Sequence, residues 1–195
     1  MNQELLKFNE FEKFIYAEPV PSQNIVELYT LFCTLHNLFP NGINNIIEIG
    51  VYKGGMIRVW NKLLSDSGVY IGVDDNAWKL IPEVVRKYSS DKNKFVVMDS
   101  QKAVPEVSKV LNNQKADLLY IDGNHEWEYA NNDYKAYKDF VSKSGVIALH
   151  DTHYVNCLGS ARLWVELIHS GEYKYYVNIL GDKRQWGTGL LINRE

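Results

Sequence analysis

Five short apolar runs, each closing on an acidic or glycine-bearing turn, constrain this chain more than any other feature. They are NIIEIG (45–50), GVYIGVDD (68–75), KFVVMDS (94–100), ADLLYIDG (116–123) and GVIALHD (145–151). Runs this short and this apolar suit strands buried on both faces. Helical patterns separate them, across 54–65, 78–88, 101–112 and 127–143. Strand alternating with helix requires crossover connections, and so a mostly parallel sheet with helices on both faces. After Asp151 a helix is expected over 158–169, and then EYKYYVNIL (172–180) and GTGLLIN (187–193) follow with only a short connection, as an antiparallel hairpin would. The expectation is a doubly wound α/β fold on a mostly parallel seven-stranded sheet with a C-terminal antiparallel hairpin.

Ahead of the first run, Leu5, Leu6, Phe8, Phe11, Phe14 and Ile15 are spaced for an amphipathic helix over 3–17. EPVPSQ (18–23) interrupts it, with Pro19 and Pro21 as breaks and Ser22 as a helix cap. A second helix over 23–38 is stopped by FPNG. No repeat or linker divides the 195 residues, so a single domain is expected, with 1–40 a helical addition and 41–195 the core. The formal charge of −3 gives no electrostatic case for nucleic acid. No apolar run reaches the roughly 20 residues of a membrane span, and MNQELLKFNEFEKF does not read as a secretory signal. Cys33 and Cys157 lack a CxxC partner or metal-ligand spacing and read as buried free thiols of a reducing, cytoplasmic compartment.

Open parallel sheets bind ligands at the carboxyl ends of their strands. Those ends carry Glu48 and Gly50, Asp74 and Asp75, Asp99 and Ser100, Asp122, and His150 with Asp151. Five successive acidic ends in register point to a site. The turn EIGVYKGGM offers Gly50, Gly54 and Gly55 for close approach of backbone to a ligand. Tyr52 stands where the dinucleotide fingerprint has its second glycine, which disfavours NAD, and no Gly-Lys-Ser/Thr follows to make a P-loop. A nucleoside ligand without phosphate fits better: Glu48 facing an ammonium, Asp74 accepting ribose hydroxyls, Asp99 accepting from an adenine amino group. In YIDGNHEWEY (120–129), His125 is suited to take a proton, and Asp122 with Asp151 could converge on one divalent cation. Trp127, Tyr129 and Trp186 are candidates for pocket walls as well as for packing, and His153 reads as a loop histidine.

The ordered series EIGVYKGG, IGVDD, VVMDS, YIDGNHEWEY and GVIALHDT resembles the class I S-adenosylmethionine-dependent methyltransferases. Within them it is similar to the branch of cephalosporin-hydroxylase-like proteins and macrolide-sugar O-methyltransferases. The resemblance covers residues 40–193. It implies a Rossmann-like methyltransferase fold and a cofactor pocket lined by Glu48, Gly50, Asp74, Asp99 and Ser100. Tyr52, Gly54, Asp75 and Asp122, on the same turns, complete the expected cofactor set. It also implies His125 as general base and a divalent cation on Asp122 and Asp151, Mg²⁺ being the first expectation. His150 stands where many relatives have an acid and is counted with the metal residues. The expected reaction is O-methylation of a small-molecule hydroxyl on a sugar or secondary metabolite, with oligomerisation left open. A metal-dependent hydrolase or oxygenase built on Asp122, His150, Asp151 and His153 is the alternative, and a non-catalytic cofactor-binding relative is another.

Overall fold

The computed structural model describes residues 3–17, 20–153, 156–181 and 186–192. Pro19, Asn193 and residues 182–185 of the last connection, named above, lie outside the described residues. The sheet is built from β1 (Ile43–Ile49), β2 (Leu64–Asp74), β3 (Asn93–Val97), β4 (Ala116–Ile121), β5 (Val141–Leu149), β6 (Tyr175–Ile179) and β7 (Thr188–Ile192). Its order is β3-β2-β1-β4-β5-β7-β6, parallel through the first five strands and antiparallel for β5–β7 and β7–β6. Chain direction across the sheet reverses between β1 and β4, the topological switch point where a ligand crevice opens. The expected mostly parallel seven-stranded sheet and its terminal hairpin are both present, with β7 inserted between β5 and β6.

Side chains of the central strands alternate between two cores, as a period of two demands. One face carries Ile43, Ile46, Tyr70, Leu118, Tyr120, Val146 and Leu190. It is covered by α1 (Phe8–Ile15), α2 (Ile25–Leu38), α3 (Gly55–Leu63) and α4 (Ile81–Tyr88). The other face carries Ile47, Ile49, Ile71, Val73, Leu119, Ile121 and Leu191, under α5 (Ser100–Leu111), α6 (Trp127–Tyr137) and α7 (Leu158–His169). Trp60 of α3 and Tyr120 of β4, both fully buried, meet edge to face at 5.1 Å directly beneath the switch point.

Several boundaries differ from the sequence expectation, for local reasons. The first helix is split into a 3-10 turn (Gln3–Leu6) and α1, broken at extended Lys7. The cap of α2 is Asn24, whose Oδ1 accepts from the backbone N–H of Val26 and Glu27, and not Ser22. Residues 78–80 precede α4, because Asn76 and Lys79 take the left-handed conformation. The helix expected over 127–143 ends at Tyr137 and a 3-10 turn, and polar Ser142–Ser144 belong to β5, whose start lies toward solvent. Periodicity alone does not separate a polar strand start from a helix end.

Candidate active site

Read across the sheet, the strand-end residues form a row: Asp99 after β3, Asp74 closing β2, Glu48 in β1, Asp122 after β4, and His150-Asp151 after β5. They border one cavity of about 740 Å³. All the expected cofactor, base and metal residues except Gly54 line it. Gly54 lies in the same turn with a positive φ of 73° at the start of α3.

The glycine turn is fixed by packing as well as by conformation. Gly50 has φ 90°, and a Cβ there would come within 2.2 Å of the Asp122 carbonyl oxygen, so only glycine lets β1 and β4 close the crevice floor. Tyr52 also takes a positive φ, 50°, although it is not glycine. Asp74 holds this strained turn: its Oδ2 accepts from the backbone N–H of Val51 and Tyr52 at 2.9 and 3.0 Å. Its Oδ1 accepts from Asn76 N–H at 2.7 Å. Oδ1 retains acceptor capacity for a ligand. Asp75 Oδ1 accepts from Ala77 N–H. Tyr52 meets the exposed Trp78 edge to face at 6.1 Å beside the cavity mouth. Glu48 is buried and accepts a hydrogen bond from Tyr70 Oη. Burial pushes its carboxyl up to about 8, outweighing the hydrogen bonds that lower it, and Asp122 and Asp74 push the same way. Asp99 caps α5 through Lys102 N–H. Ser100 Oγ donates to Asp133, a buried acid of α6 that burial raises to about 6.

At the other end, beyond β4 and β5, ionisable groups crowd together. His125 Nε2 lies 3.1 Å from Asp151 Oδ2 and 3.5 Å from Asp122 Oδ1. His150 Nδ1 lies 3.0 Å from Asp122 Oδ1 and 3.4 Å from Asp151 Oδ2. Asp151 itself has φ 58°, a left-handed turn that swings the chain off β5. Burial opposes ionisation of Asp122, yet His150 and His125 overcome it and hold the carboxyl down at about 2. The Asp122 contact raises His125 against the opposing effect of burial, with Asp151 acting in the same sense. Burial works against charging His150, but Asp122 and then Asp151 leave it well above the ordinary histidine value.

Three site residues carry no local signal in the sequence. Gln23, just before α2, donates Nε2–H to Asp122 Oδ2 at 2.8 Å. Glu27, fully buried in α2, lies 3.5 Å from His150 Nε2 and accepts from Thr188 Oγ1 at 2.6 Å. Cys157 is buried with Sγ 3.1 Å from His125 Nδ1. Burial first, then Asp151, pushes its thiol up to about 12, so it stays protonated. Of the aromatic candidates, Tyr129 and Trp186 line the cavity. Trp127 instead packs on α7, donating to Glu166 and lying 4.3 Å under the Arg162 guanidinium. His153 is exposed, its backbone N–H bonded to the carbonyl of Trp186.

A doubly wound sheet with a glycine turn after β1, acids on the next two strand ends and an antiparallel β7 defines the Rossmann-like, class I methyltransferase architecture. The chain belongs to the methyltransferase-domain family, whose family model matches residues 47–152, more than half of its length. Solved structures share the fold. An O-methyltransferase from Bacillus cereus, in complex with S-adenosylhomocysteine, superposes with a TM-score of 0.66 at 14% identity, over 100% of this chain and 92% of that one. A TDP-rhamnose 3'-O-methyltransferase of calicheamicin biosynthesis gives 0.65 at 14% identity, over 100% and 96%. An uncharacterized protein of Acanthamoeba polyphaga mimivirus is 26% identical over 133 residues, 60% of this chain and 55% of that protein. The chain thus spans about half the length of that curated relative.

Proposed function

We propose that the protein transfers a methyl group from S-adenosylmethionine to a hydroxyl of a small molecule, with His125 as general base. The observation that carries this reading is the single cavity joining the glycine turn and strand-end acids at one end to the His125–Asp122–Asp151 cluster at the other. Family membership and the fold shared with O-methyltransferases support it.

On this reading Glu48, Gly50, Tyr52, Gly54, Asp74, Asp75, Asp99, Ser100 and Asp122 hold the cofactor. Glu48 faces its ammonium and Asp74 accepts from its ribose. The bound cofactor supplies an electrophilic methyl on a sulfonium, so the chain must align a nucleophile behind it and remove a proton. A hydroxyl is a poor nucleophile near neutral pH. His125 Nε2 is turned inward toward Asp122 and Asp151, so the acceptor hydroxyl has to enter that nest. Nδ1 rests against Cys157 Sγ at 3.1 Å, so Nε2 is the ring nitrogen presented to the acceptor, with Asp122 and Asp151 placed to stabilise the imidazolium that forms. Gln23 and the lining segment Val20–Ser22 form the side of the cavity contributed by the N-terminal addition, and they shield the reaction from water.

The residues present also fit a divalent cation. Ligand atoms of Asp122, His150 and Asp151 all lie within 4.8 Å of one another. His150 Nδ1, His150 Nε2 and Asp151 Oδ1 are buried without an aligned hydrogen bond. Such a cation would be held by these three side chains and would supply positive charge that acidifies a nearby hydroxyl.

The test is His125→Ala, assayed by S-adenosylhomocysteine release against hydroxylated acceptors, nucleotide-linked sugars included. The variant is expected to bind S-adenosylhomocysteine as the parent does and to lose turnover by 10²-fold or more, the usual size of a general-base contribution. The parent rate should fall as pH drops through the raised His125 value, because only neutral imidazole accepts a proton. Turnover unchanged in His125→Ala would remove the base assignment.

A further inference from the structure

His150 is the residue at which an all-oxygen cation site breaks down. Its side chain is 7% exposed, and neither ring nitrogen has an aligned hydrogen bond, although carboxylate oxygens stand 3.0–3.5 Å away on both sides. Nδ1 faces Asp122 and Asp151. Nε2 faces Glu27 Oε1, which also accepts from Thr188 Oγ1, while Glu27 Oε2 accepts from the backbone N–H of Gly187. Gln23 likewise anchors the outer oxygen of Asp122, leaving Oδ1 toward His150. Two of the inward-facing donors, Asp122 and His150, are therefore met from outside by residues of the N-terminal segment, Gln23 and Glu27.

The chemistry of this donor set discriminates among cations. Mg²⁺ demands near-octahedral oxygen ligands and parts with its waters reluctantly, whereas imidazole nitrogen suits first-row transition cations such as Zn²⁺ and Fe²⁺. A ligating imidazole is characteristically supported at its other nitrogen by a carboxylate, which sets the ring and raises its basicity. Glu27 stands in that place.

Resting on the cation reading of the proposed function, we infer that this centre takes a first-row transition cation of the Zn²⁺ class in preference to Mg²⁺. His150 Nδ1, Asp122 and Asp151 are its ligands, and Glu27 of α2 is the positioning residue behind His150. The N-terminal addition is then part of the metal centre as well as a cover for the core.

The test uses the full chain stripped with a chelator and titrated with Co²⁺, a spectroscopic substitute for Zn²⁺, following its visible absorption. One Co²⁺ per chain is expected, displaced by equimolar Zn²⁺ and not by a hundredfold excess of Mg²⁺. His150→Asp, which restores an oxygen donor, should lower Co²⁺ affinity at least tenfold and let Mg²⁺ compete. Glu27→Gln, which can still accept from Thr188, should weaken Co²⁺ binding 10- to 100-fold. Its metal-free melting temperature should stay near the parent value, a pattern that a merely structural role would not give. Displacement of Co²⁺ from the parent chain by Mg²⁺ at comparable concentration would overturn the inference, as would an absence of Co²⁺ binding, and neither result needs a variant to fold. S-adenosylhomocysteine binding in the same samples separates the two readings. Cofactor binding without transition-metal uptake sinks only this inference, whereas its loss in the parent chain sinks the methyltransferase reading.

Discussion

Two buried acids, Asp133 and Glu48, are displaced far enough from their ordinary values to give measurable pH effects. Asp133 is held at about 6 by burial, against an unfolded value near 3.8. The native state therefore binds the proton more tightly than the unfolded state. Stability from this group is full below about pH 4 and is lost as pH rises through about 6. The deficit at neutral pH is on the order of 2–3 kcal/mol. Asp133→Asn keeps an acceptor for Ser100 and removes the titration. It should raise the melting temperature at pH 7.5, leave it nearly unchanged at pH 4, and flatten the pH dependence between; an equal shift at both pH values would contradict this account. Glu48, at about 8, is largely protonated at neutral pH. An ammonium placed beside it favours the carboxylate, so binding S-adenosylhomocysteine at pH 7 should release a proton, and affinity should rise with pH up to about 8. Calorimetry in buffers of different ionisation enthalpy reads the release, and a heat independent of buffer would argue against Glu48 as the ammonium partner.

At the scale of elements, the N-terminal pair α1 and α2 carries the most weight beyond the sheet. Phe11 of α1 is fully buried against Phe32 at 5.1 Å and Tyr29 at 5.4 Å. Phe11→Ala should lower unfolding free energy by about 3–5 kcal/mol, read as a shift in the denaturant midpoint with little change in slope. A loss under 1 kcal/mol would mean that α1 is not part of the cooperative core. The aromatic stripe of this segment was legible in the sequence as a packing face. Its second role was not. Gln23 and Glu27 reach Asp122 and Thr188 across sequence separations of 99 and 161 residues, and no local pattern encodes contacts of that length. Helix ends were legible where apolar periodicity starts and stops cleanly, as for α7 over Leu158–His169, although Cys157 supplies no side-chain cap. They were not where a polar strand start such as Ser142–Ser144 continues a helix-like pattern.

For the molecule as a whole, sheet topology converts a linear series into a site. The short apolar runs and the late hairpin pattern made the seven strands legible, and the strand-end rule placed the acids along one edge. Crevice geometry then decided what periodicity could not: that Asp74 braces the glycine turn, that Cys157 touches His125, and that His150 sits between two carboxylates and Glu27. These are consequences of chain segments meeting at the switch point between β1 and β4. The central claim, that this crevice is an S-adenosylmethionine site, is tested most directly by equilibrium dialysis of the full chain against labelled S-adenosylmethionine. One equivalent retained per chain and displaced by S-adenosylhomocysteine is the expected result, and no retained label at high protein concentration would contradict it.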